Sequence, residues 1–117
     1  MGLKAGERLK GMRELMGFTR MRFAEFLDIN LIRLKNLEQL KARVAEDEFE
    51  KLGKMFPEMM PWLVYGGKIS LSELERSDNE YCQLIALKIK IGEIPAGYGF
   101  RDAIEVQDKN EPLNGNR

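Results

Sequence analysis

Residues 18–38 read Phe-Thr-Arg-Met-Arg-Phe-Ala-Glu-Phe-Leu-Asp-Ile-Asn-Leu-Ile-Arg-Leu-Lys-Asn-Leu-Glu, and their spacing points to a helix-turn-helix. Small Ala24 is followed by Ile29, then by Leu34 and Leu37, with polar or charged residues interleaved at helical intervals. A side chain that stops at Cβ lets two short helices cross closely, Ile29 fills the corner between them, and Leu34 and Leu37 turn the second helix inward. Thr19 and Asn30 are the residue types that accept hydrogen bonds from the first free amides of a helix. The spacing therefore predicts one helix over 20–27, a turn at Asp28 and Ile29, and a second helix beginning after Asn30.

Working outward, an amphipathic helix is expected from about Ala5 to Met16. Leu9, Met12, Leu15 and Met16 form its apolar face, Glu7, Lys10, Arg13 and Glu14 face water, and Gly17 ends it. After the basic Lys41-Ala42-Arg43 segment a fourth helix is expected from Ala45 to Met55, with Glu46, Asp47 and Glu48 complementing the dipole at its start. Pro57 breaks the pattern, a fifth short helix covers Glu58 to Tyr65, and Gly66-Gly67 closes the unit. The methionines fall at helical intervals and read mainly as core filling, although Met59 and Met60 beside Trp62 also suit a dimer patch.

These pieces, in this order, resemble the phage-repressor and Cro-like helix-turn-helix family, also called lambda-repressor-like or XRE-type. The likeness spans about residues 5–66 and rests on Glu-Arg-Leu-Lys at 7–10, Phe-Thr-Arg at 18–20, Phe-Ala-Glu-Phe-Leu at 23–27, Leu-Lys-Asn-Leu-Glu-Gln at 34–39 and Trp-Leu-Val-Tyr-Gly at 62–66. The resemblance implies an all-α, five-helix DNA-binding fold in which positions 31, 32 and 36 meet base edges. It also implies backbone contacts from Thr19, Arg20, Gln39, Lys41 and Arg43. Three departures stand out. Asp28 stands where the family usually has glycine, and the turn is expected to survive because Asp tolerates positive φ; Leu40 stands where it often has glycine, so the helix ending near residue 38 is expected to run on toward Ala42. Arg20 replaces a usual glutamine and is expected to strengthen a phosphate contact.

Side-chain chemistry agrees with such a reading face. The Asn36 amide can pair with both N6 and N7 of adenine, and Arg33 or Lys35 can reach guanine or phosphate. Leu31 and Ile32 cannot hydrogen-bond a base, but they can pack on thymine methyl groups. The candidate base-reading set is Leu31, Ile32, Arg33, Lys35 and Asn36. Exposed aliphatics also suit a protein partner, so the competing expectation is an interaction module, antirepressor-like or antitoxin-like, built on the same scaffold.

The 117 residues carry nineteen basic and nineteen acidic side chains, a formal net charge of zero. Their distribution is uneven: residues 1–43 hold ten Lys or Arg against five Asp or Glu. A basic half containing the helix-turn-helix suits phosphate attraction, while the acidic remainder limits non-specific sticking. One cysteine, Cys82, and no histidine exclude an internal disulfide framework and leave too few ligands for a His/Cys zinc site. No histidine base and no phosphate-cradling glycine loop point to an enzyme, and Ser70, Ser72 and Lys88 read as caps and surface. No apolar run reaches membrane-spanning length, and a cytoplasmic protein without cofactor or metal is expected.

Beyond Gly67 the pattern weakens. Ser70-Leu-Ser-Glu73 and Ser77-Asp-Asn-Glu80 both have capping-box spacing, predicting helix starts near Leu71 and Asp78. Leu87 to Ile91 alternates apolar and charged residues, which is a strand signal inside a stretch otherwise read as helix. The expected organisation is a DNA-binding domain over 1–67, an extension over 68–106, helical or mixed, and a flexible tail over 107–117. The expected function is a sequence-specific transcriptional regulator of bacterial or phage type. It would bind palindromic double-stranded DNA as a homodimer, with pairing supported by Leu74, Tyr81, Leu84, Ile85, Leu87, Ile89 and Ile91.

Overall fold

A computed structural model describes residues 2–105; the tail expected over 107–117 lies outside the described residues. The chain is predominantly helical. Helices α1 (Ala5–Met16), α2 (Arg20–Leu27), α3 (Leu31–Glu38) and α4 (Glu46–Met55) are followed by a 3-10 turn (Pro57–Met59) and α5 (Met60–Tyr65). Strand β1 (Ile69–Ser70), α6 (Leu71–Glu75), α7 (Glu80–Ile91), α8 (Phe100–Ala103) and β2 (Ile104–Glu105) complete it. The alternating stretch at 87–91 is helix: Ile85, Ala86 and Ile89 are buried while Leu87 and Ile91 are exposed, so the residues sort by a helical period and not by twos.

The starts of α1 to α4 satisfy amides by the means their sequence provides. The Thr19 side chain accepts from the Arg22 amide, and Asn30 Oδ1 accepts from both Ile32 and Arg33. At α1 and α4 the helix's own glutamate reaches back, Glu7 to the Lys4 amide and Glu48 to the Ala45 amide.

Two helix ends use non-glycine residues in the left-handed region. Asp28 has φ 57° and Leu40 has φ 63°. At α3 the Lys41 amide bonds the Asn36 carbonyl and the Leu40 amide bonds the Leu37 carbonyl, the paired closure usually made with glycine. The helix therefore stops at Glu38 instead of running on toward Ala42. A left-handed leucine costs roughly 1–2 kcal/mol, and the closure supplies partners for carbonyls that would otherwise be orphaned.

One apolar cluster runs from Leu9 through the helix-turn-helix to Phe100 and Ala103. Ala24 is buried at the α2–α3 crossing, with Ile29 packed against the core. A second close approach lies at Gly6, where a Cβ would stand 2.1 Å from the Leu37 carbonyl oxygen; the start of α1 meets the end of α3 backbone to backbone. Residues beyond Gly67 share this core. Phe100 stacks on Trp62 at 4.6 Å, Tyr81 packs on Phe26 at 4.7 Å, and Asn79 bonds the Met55 carbonyl. Strands β1 and β2 pair in parallel, Ile69 with Ile104. Met59, Trp62, Leu74, Ile85 and Ile89 are all buried, which removes them from any intermolecular pairing surface.

Candidate nucleic-acid interface

Helix α3 has two unlike faces. Inward, Leu34 and Leu37 are fully buried, and Glu38 joins them there. The Glu38 carboxylate accepts from Arg13 at 2.7 and 3.0 Å and from Arg20 Nε at 3.0 Å, tying α1 and α2 to α3 through one buried anion. Arg13, expected to face water, is buried in this network, and its Nη1 also donates to the Phe18 carbonyl. A buried anion is tolerated only when paired and hydrogen-bonded, and here two guanidiniums surround it. The signal was present in the spacing: residue 38 lies one turn after Leu34 on the apolar stripe, where a lone charge demands a partner.

Outward, Ile32 is 67% exposed and Leu31 42%. Lys35 and Gln39 are exposed and Asn36 is partly so. The loop after α3 presents Lys41 and Arg43 to solvent, and Met21 and Arg22 are exposed in the first turn of α2. Among the described residues, Lys35, Lys41 and Arg43 form no side-chain ion pair.

Three of the expected DNA contacts have partners within the fold. The expectation that Arg33 reaches guanine meets a two-pronged pair with Glu48, Nε to Oε2 at 2.7 Å and Nη2 to Oε1 at 2.9 Å, and Nη2 also donates to the Arg43 carbonyl. The arginine spans from α3 to the loop and to the start of α4, because a planar guanidinium matches a carboxylate edge to edge. Hydrogen bonding to Arg33 holds the Glu48 carboxyl below its ordinary range. Base reading by Arg33 requires this clamp to open. Arg20, expected to grip phosphate, has its Nε committed to Glu38 and belongs first to the interior network. The Thr19 hydroxyl oxygen is likewise engaged as the α2 cap.

What remains on one exposed helix and its following loop is an aliphatic pair, an amide and a short basic run: Leu31 and Ile32, Asn36, then Lys35, Lys41 and Arg43. Such a surface can pack on methyl groups, read one base by its amide and neutralise phosphates at its edge. The chain matches no protein-family model, no curated protein and no solved structure. Among the described residues no group of carboxylate, cysteine or histidine side chains is arranged to hold a metal ion, and no helix is long and apolar enough to cross a membrane.

Proposed function

We propose that this chain is a sequence-specific DNA-binding transcriptional regulator of the lambda-repressor-like helix-turn-helix type, acting in the cytoplasm as a homodimer on palindromic double-stranded DNA. The observation that carries this reading is the division of α3: its inner face is sealed by Leu34, Leu37 and the Glu38 network, while its outer face from Leu31 to Gln39 lies open. A short helix so firmly seated can present its N-terminal residues to the major groove as a rigid reader. Asn36 reads adenine, Leu31 and Ile32 meet thymine methyls, and Lys35, Lys41, Arg43 and Gln39 serve the backbone. One short helix covers few base pairs, so pairing on half-sites about one helical turn apart, roughly 34 Å, supplies the specificity. The part of α7 left for pairing is Leu87 and Ile91, one turn apart and exposed, with Leu84 beside them.

A second reading draws on a specific observation. With Arg33 clamped by Glu48, the two most N-terminal residues of the open face are aliphatic, which also suits a protein partner in an antirepressor-like or antitoxin-like module. Selection of bound sequences from random duplexes separates the two. The DNA reading expects enrichment of a thymine-containing palindrome and a steep fall of log affinity with log salt. It expects Asn36→Ala to cost about 1–3 kcal/mol on the selected site alone, and Lys41→Ala to weaken all duplexes and lower the salt slope by about one. If selection enriches nothing, the interaction reading replaces it.

A further inference from the structure

A cleft of ≈ 470 Å³ opens on the molecule between the start of α1, the end of α5 and the 97–103 segment. Its size suits a small organic ligand. Aromatic rings form its walls: Trp62, stacked on Phe100, and the rings of Tyr65 and Tyr98. The Tyr98 ring is packed against α1, since a Cβ at Gly11 would stand 2.6 Å from it. Tyr65 lies equally close over Gly67, where a Cβ would stand 2.7 Å from its ring.

Arg8 lines the same cleft and is only 8% exposed. Its Nε donates to the Leu63 carbonyl at 2.9 Å and Nη2 to the Val64 carbonyl at 3.0 Å, with Nη1 on the Leu3 carbonyl. All three acceptors are neutral. Among the described residues, Arg8 forms no ion pair, in contrast to Arg13, which has Glu38. Burial lowers the pKa of Arg8 from its ordinary value, with nearby Glu7 opposing. Capping the last carbonyls of α5 accounts for two of its bonds, yet among the described residues no carboxylate bonds this buried guanidinium, and Glu7 acts on it only through space. A guanidinium has five N–H donors, and Nη1 lies beside Gly66, which has no side chain to cover it. Lys68 and Asp102 line the cleft as well. Two cations against one carboxylate leave a surplus of a single positive charge, which suits a monoanion better than a phosphate dianion.

We propose that this cleft binds a small planar organic carboxylate, its carboxylate held by Arg8 and Lys68 and its flat body lying among Trp62, Tyr65 and Tyr98. The site goes beyond the DNA reading and does not rest on it. Trp62 is the single tryptophan of the chain, so its emission in the full-length protein reports occupancy directly. Three probes test the chemistry: benzoate, neutral benzamide of the same shape, and inorganic phosphate. Saturable change is expected with benzoate, binding weaker by about ten-fold or more with benzamide, and no response to phosphate. Arg8→Gln is expected to weaken benzoate by a similar factor. Because Arg8 also holds α5, exposed Lys68→Gln serves as the second variant, expected to weaken benzoate several-fold at unchanged thermal midpoint. Equal binding of benzoate and benzamide overturns the proposal, as does a saturable response to phosphate, the absence of any saturable response, or benzoate binding untouched in Lys68→Gln and Arg8→Gln.

Discussion

Residues 5–66 and residues 67–105 are held in order by different means. In the first region α1 to α4 have eight or more residues each, and each of these four carries its own cap and buries one side. In the second, only α7 is of that kind; α6 has five residues, α8 has four, and each strand has two. Elements that short have no stability alone. The region is seated on the first by its side chains: Phe100 on Trp62, Tyr81 against Phe18 and Phe26, and Cys82 bonded to Glu58. The contrast teaches that the second region is the outer wall of a shared core and not an appendage, and it can be broken or sharpened in four ways.

The largest effect is expected from Phe100→Ala. Emptying a fully buried ring site costs about 3–5 kcal/mol, and because the core is shared, urea unfolding should show one transition shifted as a whole, with Trp62 emission moving with it. Two separate transitions, the one for the first region unmoved, would break the comparison. Next, Glu38→Gln strips the counter-charge from Arg13 and Arg20 and is expected to cost about 3 kcal/mol, the counterpart test for the first region. Glu48→Gln at the half-exposed Arg33 clamp should cost far less, since solvent screens it.

A third test uses pH. Burial, with Glu58 beside it, pushes the Cys82 thiol up to about 12 from an ordinary 9.0, and burial also raises Tyr98. A raised folded pKa means the stabilisation is complete below the unfolded value and is lost as pH climbs toward the folded one. Stability should therefore fall by about 1.4 kcal/mol per pH unit for the thiol above pH 9. Cys82→Ala should remove that slope and leave the Tyr98 component, as alkaline urea titrations would reveal. The smallest effect is a gain: Asp28→Gly relieves the left-handed backbone at the α2 end and should add about 0.5–1 kcal/mol to stability, seen as a higher thermal midpoint.

Much of the first region was legible because its signals are local. Thr19, Asn30 and Gly17 mark helix ends, and the leucine spacing separates inside from outside. Glu48 is visible in the sequence as a dipole partner at a helix start, but its second role is not, because its pair with Arg33 spans fifteen residues and depends on how α4 meets α3; Glu7 reads only as a water-facing residue, and its bond back to the Lys4 amide comes from the structure. Arg13 looks like a surface residue in the sequence for the same reason: its partner, Glu38, lies on another helix. In the second region the capping boxes mark the helix starts to within a residue or two, and the period-two run at 87–91 carries a strand signal inside a helix, since three apolar and two charged residues are too few to separate the two periods.

By itself, then, the sequence determined the helices of residues 5–66, the caps at Thr19 and Asn30 and the inward positions of α3, because those follow from backbone hydrogen bonding and from periodicity within a few residues of chain. Tertiary structure alone decided which charges are occupied and which are open. Arg13, Arg20 and Arg33 are drawn to carboxylates on neighbouring helices, Arg8 is buried beside aromatic walls with no ion pair among the described residues, and Leu40 accepts a left-handed turn so that α3 can end where Gly6 lets α1 approach. Each of these depends on distances between segments that no local pattern encodes.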